Sequence, residues 1–381
     1  MYSCGGKKVI SFTNENITDN FKPLSLSRNI FDLKSGIFSV KGRIQKYSGQ
    51  FSKNNFKIKA NPALIDIDFK KLEINKKYYF GNTFLISVYK KNKSFEEIEK
   101  KEFNYKFKKA DYIWDYLKYI GDMIKKDLRF LDLGINEFVD KNINIVGSKN
   151  KLYTGKNVKI YPGNVIDTTN GPVIIDEGTT VRSFSLIEGP AYIGKNCTID
   201  DAKIRSDTYI GDVCKISGEI ENSIILSYTN KHHHGFLGHS YLGSWVNLGA
   251  NTTNSDLKNN YGEVRVFLNP EKKVNTKKIK IGAFIGDHVK TGIGTLLNTG
   301  SFLGFGSLIY GGGMFPKFVP SFSWASNSKW NQYRLEKFID NEKHVMSRRE
   351  IKMSENYERK IKKIFDKTKK ERNWVDRIWR S

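Results

Sequence analysis

The chain has 381 residues, a formal net charge of +24 and 39% hydrophobic residues. That length admits two or three domains around a real core. No run approaches the roughly 18 to 20 apolar residues that span a bilayer, so a helical membrane protein is excluded. The lysines are spread along the whole chain beside Asn and Ile rather than gathered in a patch. The charge therefore fits small anionic substrates better than nucleic acid.

Met1 to Ile10 has no apolar segment of the secretory kind, and Cys4 has no hydrophobic stretch before it. Cys4, Cys197 and Cys214 are odd in number and lack metal-like spacing, so a reduced, cytoplasmic protein is expected. Residues 1–110 alternate short β-like runs (Val9 to Phe12, Phe56 to Ile58, Ala63 to Ile67, Phe84 to Tyr89) with Lys/Asn-rich turns. Within them Asp66 and Asp68 are either Mg²⁺ ligands or residues of an alternating surface strand. Residues 111–135 read as a linker helix: Trp114, Leu117, Ile120, Ile124 and Leu128 recur at helical spacing behind Asp111 as N-cap.

From 142 to 315 the pattern changes. Val181, Ile187, Ile193 and Ile199 recur every sixth residue, as do Ile204, Ile210 and Ile216, and Ile285, Thr291, Leu297, Leu303 and Ile309. A helix repeats at about 3.6 residues and a strand at 2, so a sustained period of six predicts a hexapeptide β-helix. Each six-residue rung is one flat side of a triangular coil, and small residues turn the corners. The polar stretch 251–278 interrupts the ladder and predicts a loop at one edge, over a binding site. Residues 328–378 are basic and helical in pattern, anchored by Tyr333, Leu335, Phe338, Ile361, Ile364 and Phe365, and are expected to cap the coil or meet a neighbouring subunit.

The densest chemistry is Asn230-Lys231-His232-His233-His234-Gly235-Phe236-Leu237-Gly238-His239, followed by Asn247-Leu248-Gly249-Ala250. On an extended chain His232 and His234 share a side and His233 faces away. No carboxylate or cysteine stands nearby in sequence to complete a zinc site. A solvated turn and a catalytic base remain as readings.

Here the sequence resembles the β-helix acetyltransferase half of the bifunctional N-acetylglucosamine-1-phosphate uridyltransferase/glucosamine-1-phosphate acetyltransferase family, and looks closest to its shortened Bacteroidetes-type form. The family's catalytic His stands three residues before an aromatic-aliphatic-Gly triplet, with Asn-aliphatic-Gly-Ala two rungs later. His233 before Phe236-Leu237-Gly238 matches without a gap, whereas His239 before Tyr241-Leu242-Gly243 needs a rung deleted. The resemblance implies a left-handed coil, a homotrimer with sites between subunits, and acetyl-CoA as cosubstrate. It makes His233 a general base and Arg205 a phosphate ligand. It places Asn247, Asn260 and Tyr261 on the sugar and acetyl group, with Ala250 and Thr291 near the cofactor. Lys231 is the candidate substitute for a second phosphate-binding lysine that falls in a two-residue deletion before Asn222. For Arg205 and the amides, solvated corners and stacked rungs are the alternatives. Gly286-Asp287-His288-Val289-Lys290-Thr291 departs from the common pattern, with His288 as a further candidate.

Phe21 to Arg28, Phe31 to Gly36, and Trp114 through Asp127 resemble more faintly a truncated α/β sugar nucleotidyltransferase module. A full module opens with a Gly-rich phosphate loop directly after its first strand. Here Thr13-Asn14-Glu15-Asn16 follows instead, and Cys4-Gly5-Gly6-Lys7 precedes. The expectation is a mainly β protein: a truncated nucleotidyltransferase-like module, a left-handed parallel β-helix and C-terminal helices. Its expected function is acetyl transfer to an amino-sugar phosphate in UDP-N-acetylglucosamine-type biosynthesis, with no nucleic-acid or membrane partner. The alternatives are a Mg²⁺-dependent nucleotidyltransferase on a trimerising scaffold, or a non-catalytic trimer.

Overall fold

The computed structural model describes residues 9–13, 17–51, 56–135 and 143–378. Cys4 to Lys7 and Asn14 to Asn16 lie outside the described residues. The chain is mainly β, and its centre is a parallel β-helix whose successive rungs fall on three faces. On the first face, strands running from Leu152–Thr154 to Phe318–Val319 stack in parallel register. The second runs from Lys159–Ile160 to Ser323–Ala325, and the third from Asn144–Val146 to Gly313–Met314.

The six-residue ladder is the inward row of each rung. Val181, Ile199 and Ile216 stack in register on the second face, and Leu248, Thr291, Ile309 and Ala325 continue the row. Val181, Ile199, Ile216, Leu248 and Ile309 are almost wholly removed from water, and each such burial contributes roughly 1.5–3 kcal/mol. One rung breaks the rule. Lys231 pairs with Ile216 and occupies the ladder position itself, with a relative exposure of 2%. The coil also runs past Gly311–Gly313, where the sequence pattern stops, through Phe318–Val319 and Ser323–Ala325.

The outward row of the first face is apolar as well: Ile174, Tyr192, Tyr209, Ile224, Tyr241 and Phe284 are buried in one cluster with the N-terminal core. That module contains β1 (Val9–Phe12), α1 (Val40–Tyr47), β2 (Phe56–Ala60), β3 (Leu64–Ile67), β4 (Lys76–Phe80), β5 (Thr83–Lys90), β6 (Glu99–Glu102) and β7 (Phe107–Lys109). Its main sheet has the order β1-β2-β5-β4-β6, and β3 pairs separately with β7. The segment predicted as one helix is a 3₁₀ stretch, Ile113–Tyr119, leading into α2 (Ile120–Asp127). Asp111 is not its cap. The Asp115 carboxylate instead accepts the N–H groups of Asp111 and Tyr112 at 3.0 and 2.9 Å.

Asp127 fastens this module together. It accepts two hydrogen bonds from the buried Arg43 guanidinium at 2.9 and 2.8 Å, one from Tyr47 at 2.6 Å, and the Ile37 and Phe38 N–H groups.

The expected loop over the binding site is elsewhere. Thr253–Asn254 is still a coil strand, and the insertion that follows forms an antiparallel hairpin, Arg265–Phe267 with Lys273–Asn275. Val264, Val266, Leu268 and Ile281 bury against the first face and the N-terminal module, not over the histidine corner. Its apolar alternation decides the matter, because those side chains need the covered face.

The C-terminal helices α3 (Leu335–Ser347), α4 (Glu355–Lys367) and α5 (Lys369–Ile378) follow the coil. Phe338, Ile361 and Ile364 pack on the corner between the first and second faces, against Trp245, Phe305 and Phe322. Among the described residues no helix is long and apolar enough to cross a membrane.

Candidate functional site

The corner between the second and third faces carries His232, His233 and His234. It turns at Gly235, where φ is +124° and an added Cβ would lie 2.2 Å from the Thr252 carbonyl oxygen. Only glycine fits there. His233 and His234 are exposed, whereas His232 is half-buried and its Nε2 is shut off from water with no hydrogen-bond partner among the described residues. The His233 ring is exposed and takes no hydrogen bond among the described residues; it lies 5.7 Å from the His232 ring.

The fold supplies carboxylates that the local sequence does not show. A register irregularity after Ile199 sets Asp200 and Asp201 out from the ladder. They stand 3.7 Å from His232 Nε2 and His234 Nε2 respectively. Burial lowers the pKa of His232, against an opposing pull from Asp200. Among the described residues no group of three metal-ligating side chains is assembled.

Lys231 was expected to meet substrate. Its side chain instead enters the prism, where Nζ donates to the Ser217 carbonyl at 2.9 Å and to the His233 carbonyl at 2.7 Å. Burial pushes its pKa down to about 8. The inward phase of the ladder sets that direction, so the ammonium braces the histidine corner from within. Thr291 is likewise interior: its hydroxyl bonds Thr252 Oγ1 at 2.7 Å and accepts from the Gly249 N–H at 3.0 Å. Neither side chain is available to a ligand at the surface.

Arg205 follows the third-face strand and is held between Glu219 and Glu188, each at 3.1 Å. Asn247 is exposed on the second face, where its Oδ1 accepts from Asn230 Nδ2 at 3.3 Å. Asn260 and Tyr261 are exposed on the turn after the third face, Tyr261 at 68%. The Ala250 carbonyl accepts the Gly294 N–H at 2.8 Å. Within one chain these residues do not converge. Arg205 and Asn247 lie on different faces, with the histidine corner as the edge between them.

Two other candidates are spoken for. His288 is buried and sits between Glu342 and Tyr357, at 2.6 and 2.7 Å. His239 Nδ1 lies 2.7 Å from Asp256 at the root of the insertion. Asp66 is paired with Lys126 at 2.6 Å, and the exposed Asp68 accepts the Lys70 N–H at 3.0 Å.

No family model matches the chain. Among curated proteins, a bifunctional protein GlmU from Methanococcus vannielii is 38% identical over 150 residues, covering 37% of this chain and 34% of that protein. A bifunctional sugar-1-phosphate nucleotidylyltransferase/acetyltransferase from Sulfurisphaera tokodaii is 34% identical over 145 residues, covering 37% and 36%. The chain thus has homologues among such bifunctional enzymes, and its match spans about a third of their length. Among solved structures, LpxA from Acinetobacter baumannii aligns at 17% identity over 53% of this chain and 78% of that one, with a TM-score of 0.33.

Proposed function

We propose that this protein is an acetyl-CoA-dependent acetyltransferase acting on an amino-sugar phosphate in sugar-nucleotide synthesis, and a shortened relative of the bifunctional enzymes. The observation that carries the reading is the His233 imidazole, unpaired and projected from a coil corner that Lys231 braces from inside.

In the proposed reaction the sugar amine attacks the thioester carbonyl carbon. The new C–N bond forms, the C–S bond breaks, and coenzyme A leaves as thiolate. His233 takes the proton lost by the nitrogen and returns it to the sulfur. Because Arg205 and Asn247 face different ways in one chain, the reading requires a homotrimer. One subunit's second face would close against its neighbour's third face, with the histidine corner in the groove between. Both substrates are anionic, in keeping with the net charge of +24.

The nucleotidyl-transfer alternative has less to stand on. Ser27 and Arg28 are both bound to Asp287, and Asp66 is bound to Lys126. Ser27 and Arg28 therefore fasten the module to the coil, and Asp66 is paired within the module.

The test is thiol release from acetyl-CoA with glucosamine 1-phosphate. His233→Ala should lower the rate by about 10²–10⁴-fold, the usual contribution of a general base. A His233→Ala enzyme with full turnover would overturn the assignment.

A further inference from the structure

A cavity of about 340 Å³ lies between the second face and the end of α3, beside the strand that leads into the histidine corner. Its floor is the outward row of four successive coils, Lys215, Asn230, Asn247 and Lys290, in strand register. At the usual strand spacing this floor is roughly 14 Å long. Arg348 and Arg349 form the roof. Tyr228 and Trp245, stacked at 4.3 Å, form a side wall.

The lining holds four cations and no carboxylate. Lys290 is neutralised from behind by the buried Glu342. Lys215, Arg348 and Arg349 have no carboxylate partner among the described residues. Cations after a helix C-terminus do complement its carbonyls, but that does not account for Lys215, which belongs to the coil. Nor does it account for Arg349, which reaches across the cavity and donates to Asn230 Oδ1 at 2.8 Å. Asn230 in turn donates to Asn247, which leaves the Asn247 amide N–H groups as donors at the surface. Three unneutralised cations around a space within the usual range for small-ligand pockets repel one another until an anion enters.

We propose that this cavity binds a small phosphorylated molecule, its phosphoryl oxygens held by Lys215, Arg348 and Arg349 and its remaining body against Tyr228 and Trp245. Forked guanidinium groups match phosphate geometry, and the aromatic wall suits a ring. The inference is separate from acetyl transfer, with which it shares only Asn247.

The test is calorimetric titration of the full chain with inorganic pyrophosphate, in competition with adenosine 3′,5′-bisphosphate and with glucosamine 1-phosphate. Wild type should bind pyrophosphate saturably, and whichever ester displaces it identifies the source of the phosphate. The Arg348→Ala/Arg349→Ala variant should bind about tenfold or more weakly, Lys215→Met several-fold more weakly, and His233→Ala as wild type. In unaltered protein, pyrophosphate should slow phenylglyoxal modification of Arg348 and Arg349, read by peptide mass spectrometry. No saturable binding at millimolar pyrophosphate, or equal binding by the arginine variant, would overturn the site whatever the outcome of the acetyl-transfer assay.

Discussion

Asp287 and His288 are adjacent on one corner of the coil and hold opposite ends of the chain. Asp287 accepts from Ser27 and Arg28 of the N-terminal module, each at 2.6 Å, and from the Ser244 N–H at 2.8 Å. His288, with φ at +61°, turns the other way to Glu342 of α3 and Tyr357 of α4. One dipeptide thus fixes both terminal modules to the same rung.

Asp287→Ala should therefore do more than remove one contact. It leaves the half-buried Arg28 guanidinium without its partner, a change that costs on the order of 2 kcal/mol, less than breaking a fully buried pair. Denaturant unfolding should show that loss, and limited proteolysis should cut first between residues 20 and 40. Wild-type stability and proteolysis in the variant would refute the fastening role.

The docking of α3 should be acid-labile. Burial raises the Glu342 pKa, but His288 and Lys290 outweigh it, and the carboxyl is held below its ordinary value. The folded protein therefore binds this proton less readily than the unfolded chain does. The resulting stability is complete above the unfolded value near 4.3 and is lost as pH falls through the lower folded value. Hydrogen exchange in 335–347 should accelerate over that window in wild type. In Glu342→Gln it should be faster already at neutral pH and lack that acid step.

Lys231 gives a slope of the same sign in an alkaline window. Burial lowers its pKa to about 8, against about 10.4 in an unfolded chain. Between those values the unfolded state holds more protons, so stability rises with pH, by on the order of 3 kcal/mol in all. Below pH 8 the folded protein bears the full cost of a charged ammonium inside the coil. Lys231→Met should flatten the profile between pH 8 and 10.4. Because the His233 carbonyl also loses its donor, the same variant should lower acetyl transfer while leaving pyrophosphate binding unchanged. A profile unchanged by Lys231→Met would contradict the buried placement.

The acetyl-transfer reading ties activity to assembly. Sedimentation at working concentration should give a trimer, and diluting the protein until it dissociates should abolish turnover. A fully active monomer would contradict a groove formed between subunits.

The coil was legible because its signal is covalent spacing: inward residues every sixth position need no knowledge of distant partners. The covered first face was legible too, had the residue before each ladder position been read. Tyr192, Tyr209, Tyr241 and Phe284 are large apolar side chains where a solvent-facing row would be polar. Lys231 misled because a lysine in a polar run reads as surface, whereas rung phase turns it inward. Asp200 and Asp201 were invisible as neighbours of the histidines because that contact follows from a local slip in strand register. The Asp287–His288 fastening and the basic cavity both require terminal segments to return to the coil, and no local pattern encodes that return.

The aromatic row on the first face also bears on why the N-terminal module persists. Cutting the chain near residue 130 to isolate the coil would bare Tyr192, Tyr209, Ile224, Tyr241 and Phe284 together, a contiguous greasy wall that solution would not tolerate. The N-terminal module is cladding for that wall, and the side that touches it is the side least free to change.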